Sequence, residues 1–167
     1  GYDYATVLLG DGQCWFAENL RSENYENGDA IPSNLSDSEW SSTTSGAVAV
    51  YGEDTGCYNY SPDIDACDPA QSLEEYGRLY NWYAVDDARG LCPTGWYVPE
   101  EVEWQNLMDS AGGAGVAGEI LKSQDFWANG AQGNDALGFD GRPGGYRRYN
   151  GPYQTLGSKG YWWTSTA

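Results

Sequence analysis

The chain has 167 residues, 25 acidic and 8 basic, and its net charge of −17 argues against nucleic acid or an anionic membrane surface as a partner, since both repel a polyanion. No apolar run approaches the ~20 residues that span a bilayer, so membrane insertion is not expected. Fourteen Tyr, eight Trp and 23 Gly beside one Met and no His describe a loop-rich aromatic protein, and the length suits a single domain, 1–167, with its own core.

From the N-terminus, residues 4–9 read as a first strand, ended by Gly10, Asp11 and Gly12, with 13–17 as its hairpin partner. The chain opens on Gly1, as a processed chain or an excised fragment does. From 22 to 56, Asn, Ser, Gly and Asp dominate and predict ordered loop, apart from a short helix near 36–40, where Ser36 can cap and Glu39 stands three residues on. Four cysteines without CxxC spacing or a histidine companion favour disulfides over zinc and imply an oxidising compartment. Cys57 and Cys67 bracket a polar segment that a local disulfide would close. Residues 76–85 are aromatic and apolar enough for a central element. Pro99 and the acids Glu100, Glu101 and Glu103 suit a helix N-terminus, and Val102, Leu107 and Met108 beside Trp104 keep helical spacing until Gly112 and Gly113. A second short helix is predicted over 116–122, followed by Gly-punctuated strands that end at 161–166. The fold class expected is α+β, with two short helices, a small twisted antiparallel sheet and long ordered loops.

Charge is uneven along the chain. Residues 1–75 hold fifteen acids against Arg21 alone, and 76–167 ten acids against seven bases, net −14 and −3. Arg142, Arg147 and Arg148 fall within seven positions. Beside the plain reading, a solvated acidic surface, this pattern allows self-association through the C-terminal region, Arg147 and Arg148 meeting acids of a neighbour's first 75 residues. Asp63, Asp65 and Asp68 put three carboxylates within six residues, as a calcium loop would, or as a solvated acidic loop would. Tryptophans in apolar motifs are more often core than platform, which leaves Trp127, Tyr149 and Tyr153 in the Gly-rich last third as the candidates for stacking on a sugar ring. Without histidine neither a Ser-His-Asp triad nor a His-based metal site can be built, so no enzyme is expected and no cofactor is required.

Five motifs then carry a resemblance. They are Gln13-Cys14-Trp15-Phe16-Ala17-Glu18-Asn19-Leu20, Tyr76-Gly77-Arg78-Leu79-Tyr80-Asn81-Trp82-Tyr83-Ala84-Val85, Leu91-Cys92-Pro93-Thr94-Gly95-Trp96-Tyr97-Val98-Pro99, Pro143-Gly144-Gly145-Tyr146-Arg147 and Trp162-Trp163-Thr164-Ser165. In this order they resemble the major paralogous domain family of Fibrobacter succinogenes. That resemblance implies a C-type-lectin-like fold and a secreted, extracellular or cell-surface bacterial domain for adhesion or ligand binding, toward a carbohydrate or a surface protein. A structural subunit of an extracellular homopolymeric filament is the second reading. The chain departs from the family twice. Tyr97 stands where members usually have His, and members continue past the Trp-Trp motif to a last strand bearing a cysteine, which is expected to be lacking here. Either the chain is a fragment, or Cys92 bonds Cys14 in place of that cysteine, and the second is expected. The Glu-Pro-Asn, Gln-Pro-Asp and Trp-Asn-Asp motifs of sugar-binding C-type lectins are absent, which disfavours calcium-dependent sugar binding of that type. Residues 99–104 are similar to the Pro-x-Glu-x-Glu-Trp segment of formylglycine-generating enzymes, but those need a reactive cysteine pair late in the chain, and no cysteine follows Cys92.

Overall fold

The computed structural model describes residues 2–53 and 56–166. Strand β1 (Thr6–Leu8) pairs antiparallel with β2 (Cys14–Phe16), Thr6 opposite Phe16 and Leu8 opposite Cys14, the hairpin expected from the sequence. Alternation along β2 buries Trp15 and turns Cys14 outward. Helix α1 (Asp37–Ser42) starts at a reciprocal cap: Glu39 N–H donates to Ser36 Oγ at 3.3 Å and Ser36 N–H donates to Glu39 Oε2 at 2.9 Å. Its Trp40 is buried.

The stretch between 22 and 56 is more than loop. Strand β3 (Val48–Ala49) is fully buried and pairs antiparallel with β4 (Leu79–Tyr80). Two helices also appear where the sequence predicted none. Helix α2 (Pro69–Tyr76) begins with Asp68 accepting from Ala70 N–H at 2.9 Å and with Pro69 in its first turn. Helix α3 (Trp82–Val85) is capped by Asn81, whose Oδ1 accepts from Ala84 N–H at 3.0 Å. Both signals were present, but α2 is mostly polar and α3 is one aromatic-rich turn that resembles a strand. Helices α4 (Glu101–Ser110) and α5 (Ala117–Leu121) fall where periodicity put them. Strand β5 (Tyr146–Arg147) pairs antiparallel with β6 (Tyr153–Gln154).

Among the described residues the chain is thus a mixture of five α-helices and three two-stranded antiparallel sheets, where a single small sheet was expected. The predicted last strand joins no sheet among the described residues; Ser165 N–H donates to Pro99 O at 2.9 Å. One buried cluster gathers Tyr25, Ile31, Val48, Tyr80, Ala84, Val85 and Leu91, and a second gathers Leu9, Trp15, Leu107 and Phe139. Gly145 enters β5 with φ +63°, and a Cβ there would lie 2.3 Å from Gln154 O, so only glycine fits.

Candidate functional site

The β1–β2 hairpin, the turn before α4, α4 itself and the C-terminal run 161–164 each deliver aromatic side chains to one region. Trp15 packs against Trp104 of α4 with ring centroids 4.9 Å apart and meets Phe139 edge-on at 6.1 Å. On the opposite face of β2, Phe16 stacks between Trp96 at 4.0 Å and Tyr4 at 4.4 Å. Three indole N–H groups tie the C-terminal run to this frame. Trp104 Nε1 donates to Trp163 O at 3.1 Å, Trp163 Nε1 to Tyr80 O at 2.9 Å, and Trp162 Nε1 to Asn19 Oδ1 at 3.1 Å. Between these walls lies an open cleft of about 800 Å³, whose lining includes Trp96, Tyr97, Trp104, Tyr161, Trp162 and Trp163.

The rings do not fill it. Tyr97 is 63 % exposed and Tyr161 is exposed as well, and so are Trp162 at 41 % and Trp163 at 44 %, although sequence reasoning assigned these two tryptophans to the core. Trp15 obeys that expectation and is buried. Polar groups at the rim are held in place. Glu103 Oε1 accepts from Tyr97 Oη at 2.6 Å and from Gln13 Nε2 at 2.8 Å. Desolvation works to raise the Glu103 carboxyl, but bonds from Tyr97, the Glu100 N–H and Gln13 outweigh it and hold it below the usual range. Asp140 goes the other way, raised by burial against the opposing pull of Arg142, with which it forms a 2.8 Å ion pair. Arg142 also pairs with Glu75.

The motifs that build this cleft span almost the whole chain, and the family model that describes them does too. The Fibrobacter succinogenes major domain matches residues 10–167. The chain belongs to this family. No curated protein and no solved structure matches the chain.

The residues that the sequence singled out in this Fibrobacter succinogenes major domain are placed as follows. Cys57 and Cys67 are bonded, with Cα atoms 5.6 Å apart. Cys14 and Cys92 are not; both line the cleft as free thiols, correcting the expected pair. Cys14 shares a strand face with Phe16, so the hairpin docks on the 92–97 turn through the Phe16–Trp96 stack instead of through sulfur. Burial, with Glu26 adding to it, pushes the Cys92 thiol up to about 11.

Asp63, Asp65 and Asp68 are not brought together as metal ligands, and among the described residues no cluster of three such side chains forms. Each carboxylate serves a different backbone donor: Asp63 accepts from Phe126 N–H at 2.8 Å, Asp65 from Cys67 N–H at 3.0 Å, and Asp68 caps α2. Arg147, expected on an interface, has a side chain only 2 % exposed. It pairs with Asp37 and Glu53, each at 3.3 Å, donates to Leu35 O and Gly151 O, and lies over the rings of Trp40 and Tyr153. Tyr153 donates to Glu53 Oε1 at 2.8 Å and is half-buried with that network. Trp127 is also half-buried, its Nε1 donating to Ser123 Oγ at 3.0 Å and Gly141 O at 3.1 Å, with Lys122 over its ring. Of the five predicted contact residues only Arg148 and Tyr149, in the turn between β5 and β6, are exposed. Among the described residues no helix is long and apolar enough to cross a membrane.

Proposed function

We propose that this chain is a non-enzymatic, C-type-lectin-like domain of a secreted or cell-surface bacterial protein, which binds an adhesion ligand in the aromatic cleft. One observation carries the reading: Tyr97, Tyr161, Trp162 and Trp163 stand open to solvent along a concavity of about 800 Å³. That volume falls within the range of about 300–1,000 Å³ typical of ligand sites. An exposed aromatic patch of this kind is also what soluble surfaces otherwise avoid. Indole and phenol faces stack on the C–H face of a sugar ring or on apolar side chains of a surface protein. The Cys57–Cys67 disulfide supports export, since such bonds persist in oxidising compartments. Two features count against catalysis in the cleft. Its half-buried thiol, Cys92, stays protonated at neutral pH, and the carboxylates Glu103 and Asp140 are engaged by partners. A direct test immobilises the domain on a surface and measures attachment to polysaccharide-coated and protein-coated beads. Replacing Trp162 and Trp163 by Ala should weaken attachment about tenfold or more, as loss of anchor residues does; attachment unchanged by both substitutions would remove the cleft from the account.

A second reading, a subunit of a homopolymeric filament, is favoured by the run 161–164, which pairs with no strand among the described residues and lies beside an apolar concavity. Backbone N–H and C=O groups outside any ladder are open to pairing with another chain. Electron microscopy and light scattering separate the readings, since a monomer across the micromolar range leaves only the first.

A further inference from the structure

A second concavity, of about 520 Å³, shares no lining residue with the aromatic cleft. It lies between the disulfide-closed loop 57–67 and the 152–158 segment that carries β6. Tyr58 and Tyr60 form its edge, 69 % and 54 % exposed, their rings stacked with centroids 5.1 Å apart. Asn129, Gln154, Thr155 and Ser158 supply polar groups on the facing side. Among the described lining residues none carries a charge, in a chain whose net charge is −17.

That lining selects its ligand by exclusion. Among the described lining residues no carboxylate offers a metal ion a hard anionic ligand. With no base among them, an anion finds nothing to offset the overall negative field. A wholly apolar ligand would strip water from the amide and hydroxyl groups without replacing their hydrogen bonds. What remains is a neutral, hydroxyl-rich molecule with one apolar face, and a pyranose has both.

The platform is also pre-organised. Asn59 turns inward, its Oδ1 accepting from Ser61 N–H at 3.0 Å and Ala66 N–H at 3.3 Å while its Nδ2 donates to Ile64 O at 3.1 Å. The flanking tyrosines therefore point out together, and Tyr51 Oη fixes the first by donating to Tyr58 O at 2.8 Å. Gly157, at φ +74°, lets the facing turn close up, for a Cβ there would sit 2.7 Å from Tyr60 O. A loop already ordered loses little entropy on binding. The facing turn keeps unused hydrogen-bonding capacity. Gln154 spends only its Nε2, on Tyr153 O, and Ser158 Oγ donates to Thr155 O, leaving both oxygens as acceptors. Thr155 Oγ1 is shielded from solvent without a hydrogen-bond partner among the described residues, on a β-branched residue held at φ +60°.

We propose that this cleft is a second binding site, for a neutral saccharide, with a sugar ring stacked on the outer face of the Tyr58–Tyr60 pair and its hydroxyls bonded to Asn129, Gln154 and Ser158. The site is independent of the ligand assigned to the aromatic cleft. The test titrates the intact chain calorimetrically with maltose and with cellobiose, neutral disaccharides that differ in linkage. Saturable binding of at least one is expected, weakened about tenfold or more by Tyr58→Ala with Tyr60→Ala and left unchanged by Tyr83→Ala, an exposed tyrosine that lines neither cleft. Asn129→Ala, outside the disulfide loop, guards against a disturbed loop and should show a loss of the same direction. Absence of saturable binding to both sugars overturns the proposal. So does binding that survives the tyrosine and Asn129 variants, or that Tyr83→Ala abolishes.

Discussion

Arg147 shows how far a residue's surroundings can reverse its expected role. In the sequence it belongs to a basic cluster facing an acidic half, which suggests contact between copies; in the fold its guanidinium is enclosed by Trp40, Tyr153, Asp37 and Glu53 of its own chain. The acidic first half is thus partly neutralised from within. Removing one member of a buried ion pair leaves the other charged and desolvated, which costs about 3–5 kcal/mol. Asp37 is half exposed and can rehydrate, so Arg147→Met should cost roughly 3 kcal/mol, the lower end of that range, in urea unfolding. A loss under about 0.5 kcal/mol, the scale of ordinary surface substitutions, would mean that the guanidinium is not enclosed. Arg148, one residue on, points outward and should tolerate the same change.

The disulfide loop 57–67 is the element that links stability to the second cleft. Its closure removes chain entropy from the unfolded state, and for a loop of 10 residues' separation that stabilises the fold by about 2–3 kcal/mol. Cys57→Ser with Cys67→Ser should lower the unfolding free energy by that amount and should also release Tyr58 and Tyr60 from their stacked arrangement. Tyrosine order parameters or near-ultraviolet circular dichroism report the second effect separately. A variant that loses stability but keeps the rigid platform would show that Asn59 and Tyr51 suffice to shape the loop. The helices α2 and α3 teach a related lesson. Each is announced by a cap, Asp68-Pro69 and Asn81, and a cap is easily overlooked when the residues after it carry no clear apolar periodicity.

Across the molecule, the open aromatic cleft brings two thiols from distant parts of the chain to one concavity without joining them. Alkylation at pH 8 should therefore modify both, Cys14 first because it is exposed, Cys92 slowly because its thiol is raised to about 11 and little thiolate exists there. The sign follows directly: below that value the proton stays on, so the Cys92 rate should climb about tenfold per pH unit until it levels near 11. Peptide mapping that found Cys14 bonded to Cys92 would contradict this arrangement. Family membership, the first hairpin, the Cys57–Cys67 bond and the helices α1, α4 and α5 were legible in the sequence, because short-range patterns carry them: alternation, capping, helical spacing and a short cysteine interval. The exposure of Trp162 and Trp163, the burial of Arg147, the separate duties of the three aspartates and the stacked Tyr58–Tyr60 pair across from Gln154 were not. Each depends on which distant segments pack together, and composition sets how many aromatic and charged groups a chain has while only tertiary packing decides which of them meet water.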